Sequence, residues 1–186
     1  VRIDIIDGAE EASIIASTDI SSLIQKDKDY LYIDVGGGST EFTVFSKGKV
    51  KKSRSFPIGT VRLLDNKVSN KTWEEVEHWI KKHTKDCEHI EAIGSGGNIN
   101  KIHKNSNSRE GEPLSYQYLT DYLNYVSGFT YDERIRLLGF NPDRADVILY
   151  ALTVFINAMK WSGAEIVHVP RIGLADGIVR SIYNEE

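Results

Sequence analysis

Three consecutive glycines between two apolar runs constrain this chain more than any other feature. Leu31, Ile33 and Val35 alternate with Tyr32 and Asp34, the period of a strand with two different faces, and Gly36-Gly37-Gly38 ends it. Glu41 to Phe45 resumes the β pattern, Ser46-Lys47-Gly48 supplies a hairpin turn, and Val50 to Phe56 reads as a third strand. Three consecutive antiparallel strands, the first turn glycine-rich, are therefore expected before any long helix.

Beyond Phe56 the pattern alternates helix and strand. Thr72-Trp73-Glu74-Glu75 reads as a capping box opening a helix, with Val76, Trp79, Ile80 and His83 on one face. Ile90 to Ile93 is a buried strand ending in Gly94-Ser95-Gly96-Gly97, and a helix runs from Asn98 to Lys104. A polar loop leads to a helix from Ser115 to near Gly128, and Thr130 to Glu133 forms a second capping box for a helix stopping at Gly139. Asn141-Pro142 opens a long helix with Ile148, Leu152, Phe155 and Met159 along one stripe and Gly163 as its stop. Ile166 to Val169 is a last strand and Leu174 to Tyr183 a last helix. Ahead of the glycines, residues 2–6 read as a short strand and residues 9–16 as a helix. The order βββαβα…αβα predicts an α/β lobe with a mixed sheet and helices on both faces.

Composition narrows the setting. The 186 residues are 40% hydrophobic and 27% charged, as in ordinary globular proteins, and the formal net charge of −4 advertises neither nucleic acid nor an anionic membrane. The stretch Ala145 to Met159 is interrupted by Asp146 and Asn157 and is too short to span a bilayer, so it reads as a buried helix. A single cysteine, Cys87, forms no internal disulfide and fits a cytoplasmic location. The chain opens at Val1 and drops into Ile3-Asp4-Ile5-Ile6, a strand that needs neighbours. It is expected to be a piece of a longer polypeptide.

Three segments can carry chemistry. In Asp34 to Glu41, the glycines Gly36, Gly37 and Gly38 let backbone amides approach an anion, and Ser39 and Thr40 add hydroxyls. Asp34 and Glu41 flank the turn, where they can hold a metal ion or its water. The competing reading is a plain glycine-rich hairpin beside two solvated acids. In Gly94-Ser95-Gly96-Gly97, amides at a helix start can hold phosphate, or the glycines merely permit close strand–helix packing. Glu10-Glu11 opens the first helix, either for the helix dipole or as a general base toward water. Lys49, Lys51, Lys52, Arg54 and Arg62 cluster around the third strand and read mostly as a solvated face. The five histidines show no metal-ligand spacing beyond a pair on one helix and read as structural or surface residues, and Cys87 has no activating partner.

These pieces, in this order, resemble the exopolyphosphatase / guanosine pentaphosphate phosphatase family of the actin-like ATPase superfamily. The matching text is Gly8-Ala9-Glu10-Glu11-Ala12, Ile33 to Glu41, and Phe56-Pro57-Ile58-Gly59-Thr60-Val61-Arg62-Leu63. It continues with Ala92 to Gly97, Arg144-Ala145-Asp146-Val147-Ile148 and Gly173-Leu174-Ala175-Asp176-Gly177. The resemblance implies an actin-like ATPase (ribonuclease H-like) lobe, with residues 1–29 the tail of a first lobe and 30–186 the second lobe.

By the same resemblance, Glu11 is the catalytic base, and Gly36, Gly37, Gly38, Ser39, Thr40, Gly94, Ser95 and Gly96 bind phosphate. Asp34 and Glu41 serve Mg²⁺ or another divalent cation, since carboxylates beside a polyanion need a cation between. The implied substrate is polyphosphate or guanosine pentaphosphate, with the first lobe as partner and the active site between lobes. Ser13 and Ala175 stand where arginine is usual, which leaves substrate preference open. Two further readings are an ATP-binding lobe of an actin-like kinase or ATPase, and a non-catalytic phosphate-binding module. The isolated chain is expected to be inactive, and the apolar strand at 2–6 is expected to fray, refold or pair in a homodimer.

Overall fold

The computed structural model describes residues 24–170. The expected strand at 2–6, the helices at 9–16 and 174–183, Glu10-Glu11 and the motif Gly173 to Gly177 lie outside them.

The three-strand meander forms as its pattern dictates. β1 (Asp29–Val35), β2 (Thr40–Ser46) and β3 (Lys49–Phe56) are antiparallel neighbours. Lys47 and Gly48 turn β2 into β3 with positive φ, the geometry of a two-residue hairpin. β4 (Ile90–Ser95) then lies parallel to β1 on its other side, and β6 (Ile166–His168) lies parallel to β4. A two-residue strand that hydrophobicity does not reveal, β5 (Leu114–Ser115), pairs antiparallel with β6. The sheet order is β3-β2-β1-β4-β6-β5, so β1 is central and β3 is an edge.

Helices connect these strands: α1 (Thr60–Leu64), α2 (Asn70–Thr84), α3 (Gly97–Asn105), α4 (Tyr116–Ser127), α5 (Tyr131–Arg136), α6 (Pro142–Ala145) and α7 (Ile148–Ser162). Two of them depart from expectation. α2 begins two residues before Thr72: Ser69 is its cap and accepts the Thr72 amide, leaving Thr72 in the first turn. The helix opened by Pro142 is also not continuous, because α6 stops at Ala145 and α7 starts afresh at Ile148. The box at Thr130 and Glu133 forms as expected, both halves being made. α1 is a further helix, one that the sequence pattern does not announce.

The sheet's two faces differ. Leu31, Ile33 and Val35 share the main core with Phe42, Val44, Ala92 and the inner sides of α2, α3, α4 and α7. The stripe Ile148, Leu152, Phe155 and Met159 is fully buried there, each side chain contributing about 1.5–3 kcal/mol. On the opposite face Tyr30, Tyr32, Phe45 and Ile93 form a second, smaller buried cluster. Asp34 continues that second face toward the end of β1. Among the described residues no helix is long and apolar enough to cross a membrane.

Candidate functional site

The site is built at the end of the central strand. Antiparallel register sets Glu41 opposite Asp34, and parallel register sets Ser95 opposite it on the other side. Directly paired residues share a face, so these three side chains project together, away from the main core. Glu41 is paired in turn with Ser55 of β3.

The two acids are held differently. Glu41 Oε1 accepts from Ser39 Oγ at 2.8 Å and from Ser55 Oγ at 2.6 Å. Asp34 accepts from the Ser95 hydroxyl and, at 3.4 Å, from Tyr32. Burial pushes the Asp34 carboxyl above its ordinary range, the neighbouring Glu41 charge adds to the rise, and the two hydroxyls oppose it. Two carboxylates side by side at a strand end are a donor set for a hard cation. No group of three His, Cys, Asp or Glu side chains converges among the described residues.

The glycine turn is anchored from behind. The Gly36 amide donates to the Ser39 carbonyl at 2.9 Å, closing the turn on itself. The carbonyl of Gly36 accepts from the Thr60 amide, and that of Gly37 from the amides of Val61 and Arg62. The Gly38 carbonyl accepts Arg62 Nε at 2.8 Å. All three carbonyls are thus directed to α1, while the amides of Gly37, Gly38 and Ser39 have no acceptor among the described residues. Gly37 and Gly38 are exposed. A loop with its carbonyls tied back and successive amides left without an acceptor has donors to offer an anion.

Gly59 makes this anchoring sterically feasible. A Cβ there would stand 2.2 Å from the Gly37 carbonyl oxygen and 2.4 Å from the backbone carbons of Gly37 and Gly38. Gly59 and Arg62 are site residues that the sequence pattern does not single out. Their signal is the run Ile58 to Arg62, which matches the family as text without revealing a structural role.

Two expected phosphate ligands have other work. Thr40 is fully buried on the core side of β2, and its hydroxyl donates to the Ile58 carbonyl, tying β2 to the segment before α1. Its place opposite Val35 and Phe56 turns it away from the face that carries Glu41. Gly94 is buried in the main core, where an added Cβ would meet Phe155, Ile99 and Val167 at 3.0–3.1 Å. Its smallness serves strand–helix packing. Ser95 is itself buried and gives its hydroxyl to Asp34, and Gly96, with φ of 107°, passes the Val35 carbonyl and stands beside Asp34. The Arg144 guanidinium lies against Gly97, which gives the Arg144-Ala145-Asp146 run a location at the start of α3.

The remaining candidates are placed elsewhere. His103 is buried with Nε2 at 2.8 Å from the Glu112 carbonyl, and His168 pairs with Glu91 at 2.7 Å. Burial, with Asp29 alongside, pushes the Cys87 thiol up to about 11, which removes it as a nucleophile at neutral pH.

Known proteins share this arrangement of elements. The model of the Ppx/GppA phosphatase family matches residues 1–186. A bifunctional 3-dehydroquinate synthase/phosphatase of Fusobacterium nucleatum is 27% identical, over 91% of this chain and 28% of that protein. Among solved structures, an exopolyphosphatase from Cytophaga hutchinsonii superposes with a TM-score of 0.76 at 20% identity, over 97% of this chain and 65% of that one. The Aquifex aeolicus Ppx/GppA phosphatase superposes with a TM-score of 0.74 at 23% identity, over 92% and 62%. These structural likenesses carry the fold, that of an actin-like ATPase lobe. The chain spans less than two thirds of each of these proteins.

Proposed function

The chain belongs to the Ppx/GppA phosphatase family, and from that premise we propose that it supplies one wall of a phosphoanhydride hydrolase cleft. The substrate is a terminal phosphoryl group of inorganic polyphosphate or guanosine pentaphosphate. The observation that carries this reading is the glycine turn, with carbonyls bound to α1 and the amides of Gly37, Gly38 and Ser39 left without an acceptor among the described residues. Phosphoryl transfer asks mainly for positioning and charge neutralisation, and such amides beside an acid pair answer both needs.

Each residue has a distinct role. The amides of Gly37 to Ser39 hold the phosphate oxygens, and Ser39 Oγ and Ser55 Oγ orient Glu41. Ser95 donates to Asp34 and steadies it. Mg²⁺, when bound, would be held by Asp34 and Glu41 and would neutralise charge building on the phosphoryl oxygens. Glu11, through its place in the Glu10-Glu11-Ala12 motif, takes the proton of the attacking water. An opposing lobe completes the cleft, a reading supported by the greater length of the related structures.

Phosphate release tests this directly. A protein carrying both lobes should release phosphate from polyphosphate or guanosine pentaphosphate only with Mg²⁺, and Glu11→Ala should abolish release with folding intact. Turnover of ATP that ignores Glu11→Ala would instead favour a kinase-like or ATPase lobe. Residues 1–186 alone should release no phosphate, and vigorous Mg²⁺-dependent hydrolysis by them would sink the two-lobe reading.

A further inference from the structure

Helix α7 carries two stripes with different fates. Ile148, Leu152, Phe155 and Met159 are fully buried in the main core. Tyr150, Asn157 and Trp161 recur on another side of the helix and stay half-buried. Beside them α2 contributes Trp73, Glu74 and Glu77, and the six side chains line a groove of about 680 Å³ bounded also by the end of α1. The groove shares no lining residue with the glycine turn or with the acid pair.

Aromatic rings and negative charge meet in this groove. Trp73 and Trp161 pack edge to face, with ring centres 6.0 Å apart and planes at 64°, so the two indoles form a corner and not a flat wall. Both rest against the main core, which fixes their orientation before any ligand arrives. Tyr150 adds a third ring to the lining. Glu77 Oε1 accepts from Lys81 at 2.5 Å, while the exposed Glu74 carboxylate has no ion pair among the described residues.

These features select one class of ligand. No Lys, Arg or His lines the groove, so an anion would find no counter-charge in it. The face of an indole attracts an alkylammonium group, and a neighbouring carboxylate adds to that attraction. Leu63 and Val68, also in the lining, offer apolar surface to methylene groups. An inorganic divalent cation would use the carboxylates and leave the rings idle, and no three His, Cys, Asp or Glu side chains converge among the described residues. Ammonium groups joined by methylenes use the rings, the acids and the apolar floor together.

We propose that this groove binds a linear polyamine, with an ammonium group seated in the indole corner beside the carboxylates of Glu74 and Glu77. The site is independent of the hydrolase reading, because none of its residues belongs to the candidate cleft.

Titration of the protein with spermidine at low salt, followed by calorimetry and by tryptophan fluorescence, tests the proposal. Saturable binding is expected. Trp161→Leu, which keeps an apolar side chain and removes the ring, should weaken it about fivefold. Glu74→Gln should weaken it about threefold. Glu75→Gln is the matched control: it removes the same charge from the next residue of α2, outside this groove, and should leave the affinity unchanged. Should Trp161→Leu fail to fold, the contrast between Glu74→Gln and Glu75→Gln decides alone. Absence of saturable spermidine binding overturns the proposal. So does equal weakening by Glu74→Gln and Glu75→Gln, or displacement of spermidine by an equal concentration of Mg²⁺, since either reduces the effect to the general attraction of an acidic chain.

Discussion

Two glycine-rich turns flank Asp34, one after β1 and one after β4, and they use glycine for different physical ends. In Gly36-Gly37-Gly38 the carbonyls are bound by α1 and its Arg62 side chain, and two of the glycines lie exposed, their amides without an acceptor among the described residues. In the second turn, Gly94 is packed under Phe155, Ile99 and Val167, while buried Ser95 bonds Asp34 and Gly96 stands beside it. The first turn is an exposed loop whose support lies in a remote segment. The second is mainly a packing device that also delivers a serine to Asp34. Composition alone makes the two look alike, and the neighbours of each missing Cβ separate them.

Substitutions that add a single methyl probe this contrast. The largest effect is expected from Gly59→Ala, which drives a Cβ into the Gly37 and Gly38 backbone. The rigid obstacle should cost about 3 kcal/mol or more and lower Tm by roughly 6 °C or more. Tripolyphosphate binding, measured by calorimetry at a temperature where the variant remains folded, should also be lost. Retained affinity would show that α1 does not shape the loop.

Gly94→Ala should cost about 1–3 kcal/mol through overpacking, read by urea unfolding. The affinity of the folded fraction for tripolyphosphate should not change. A selective loss of affinity at wild-type stability would return Gly94 to the binding surface.

Asp34 sharpens the comparison through pH, because it stands between the two turns. Its carboxyl is raised in the folded state, so the folded protein holds the proton more tightly than the unfolded chain does. The stability this gives is fully present below the ordinary aspartate value of 3.8 and is lost as pH rises through the raised folded value. Asp34→Asn should remove that loss, making the variant relatively more stable at neutral pH in the absence of divalent cation. A stability–pH curve identical to wild type across that window would contradict the assignment. The smallest effect is expected from Gly38→Ala: no atom lies within 4 Å of the added Cβ, so stability should stay within about 0.5 kcal/mol.

Much of this is legible in the sequence, and the gaps have physical causes. The alternation in β1, the hairpin at Lys47-Gly48 and the stripe of α7 are readable because burial imposes a period on the residues that form them. The cap of α2 is ambiguous because Ser69 and Thr72 are both good capping residues, and the choice between them depends on where the chain arrives from α1. The two-residue β5 exists through its pairing with β6 and leaves no periodic trace. Thr40 looks like a phosphate ligand because it comes just after the glycines, yet strand alternation turns its hydroxyl to the core.

By itself the sequence determined the meander, the glycine turn at the end of its first strand and the family text around Asp34, all local consequences of period and residue type. Tertiary structure alone decided which groups of that turn are taken up. A carbonyl is withdrawn from a loop only when a donor reaches it from elsewhere. Here the donors are the first amides of α1 and the Arg62 side chain, more than twenty residues along the chain. The register of β1 between β2 and β4 likewise set Glu41 and Ser95 on either side of Asp34, because strand pairing joins residues that no spacing in the sequence connects.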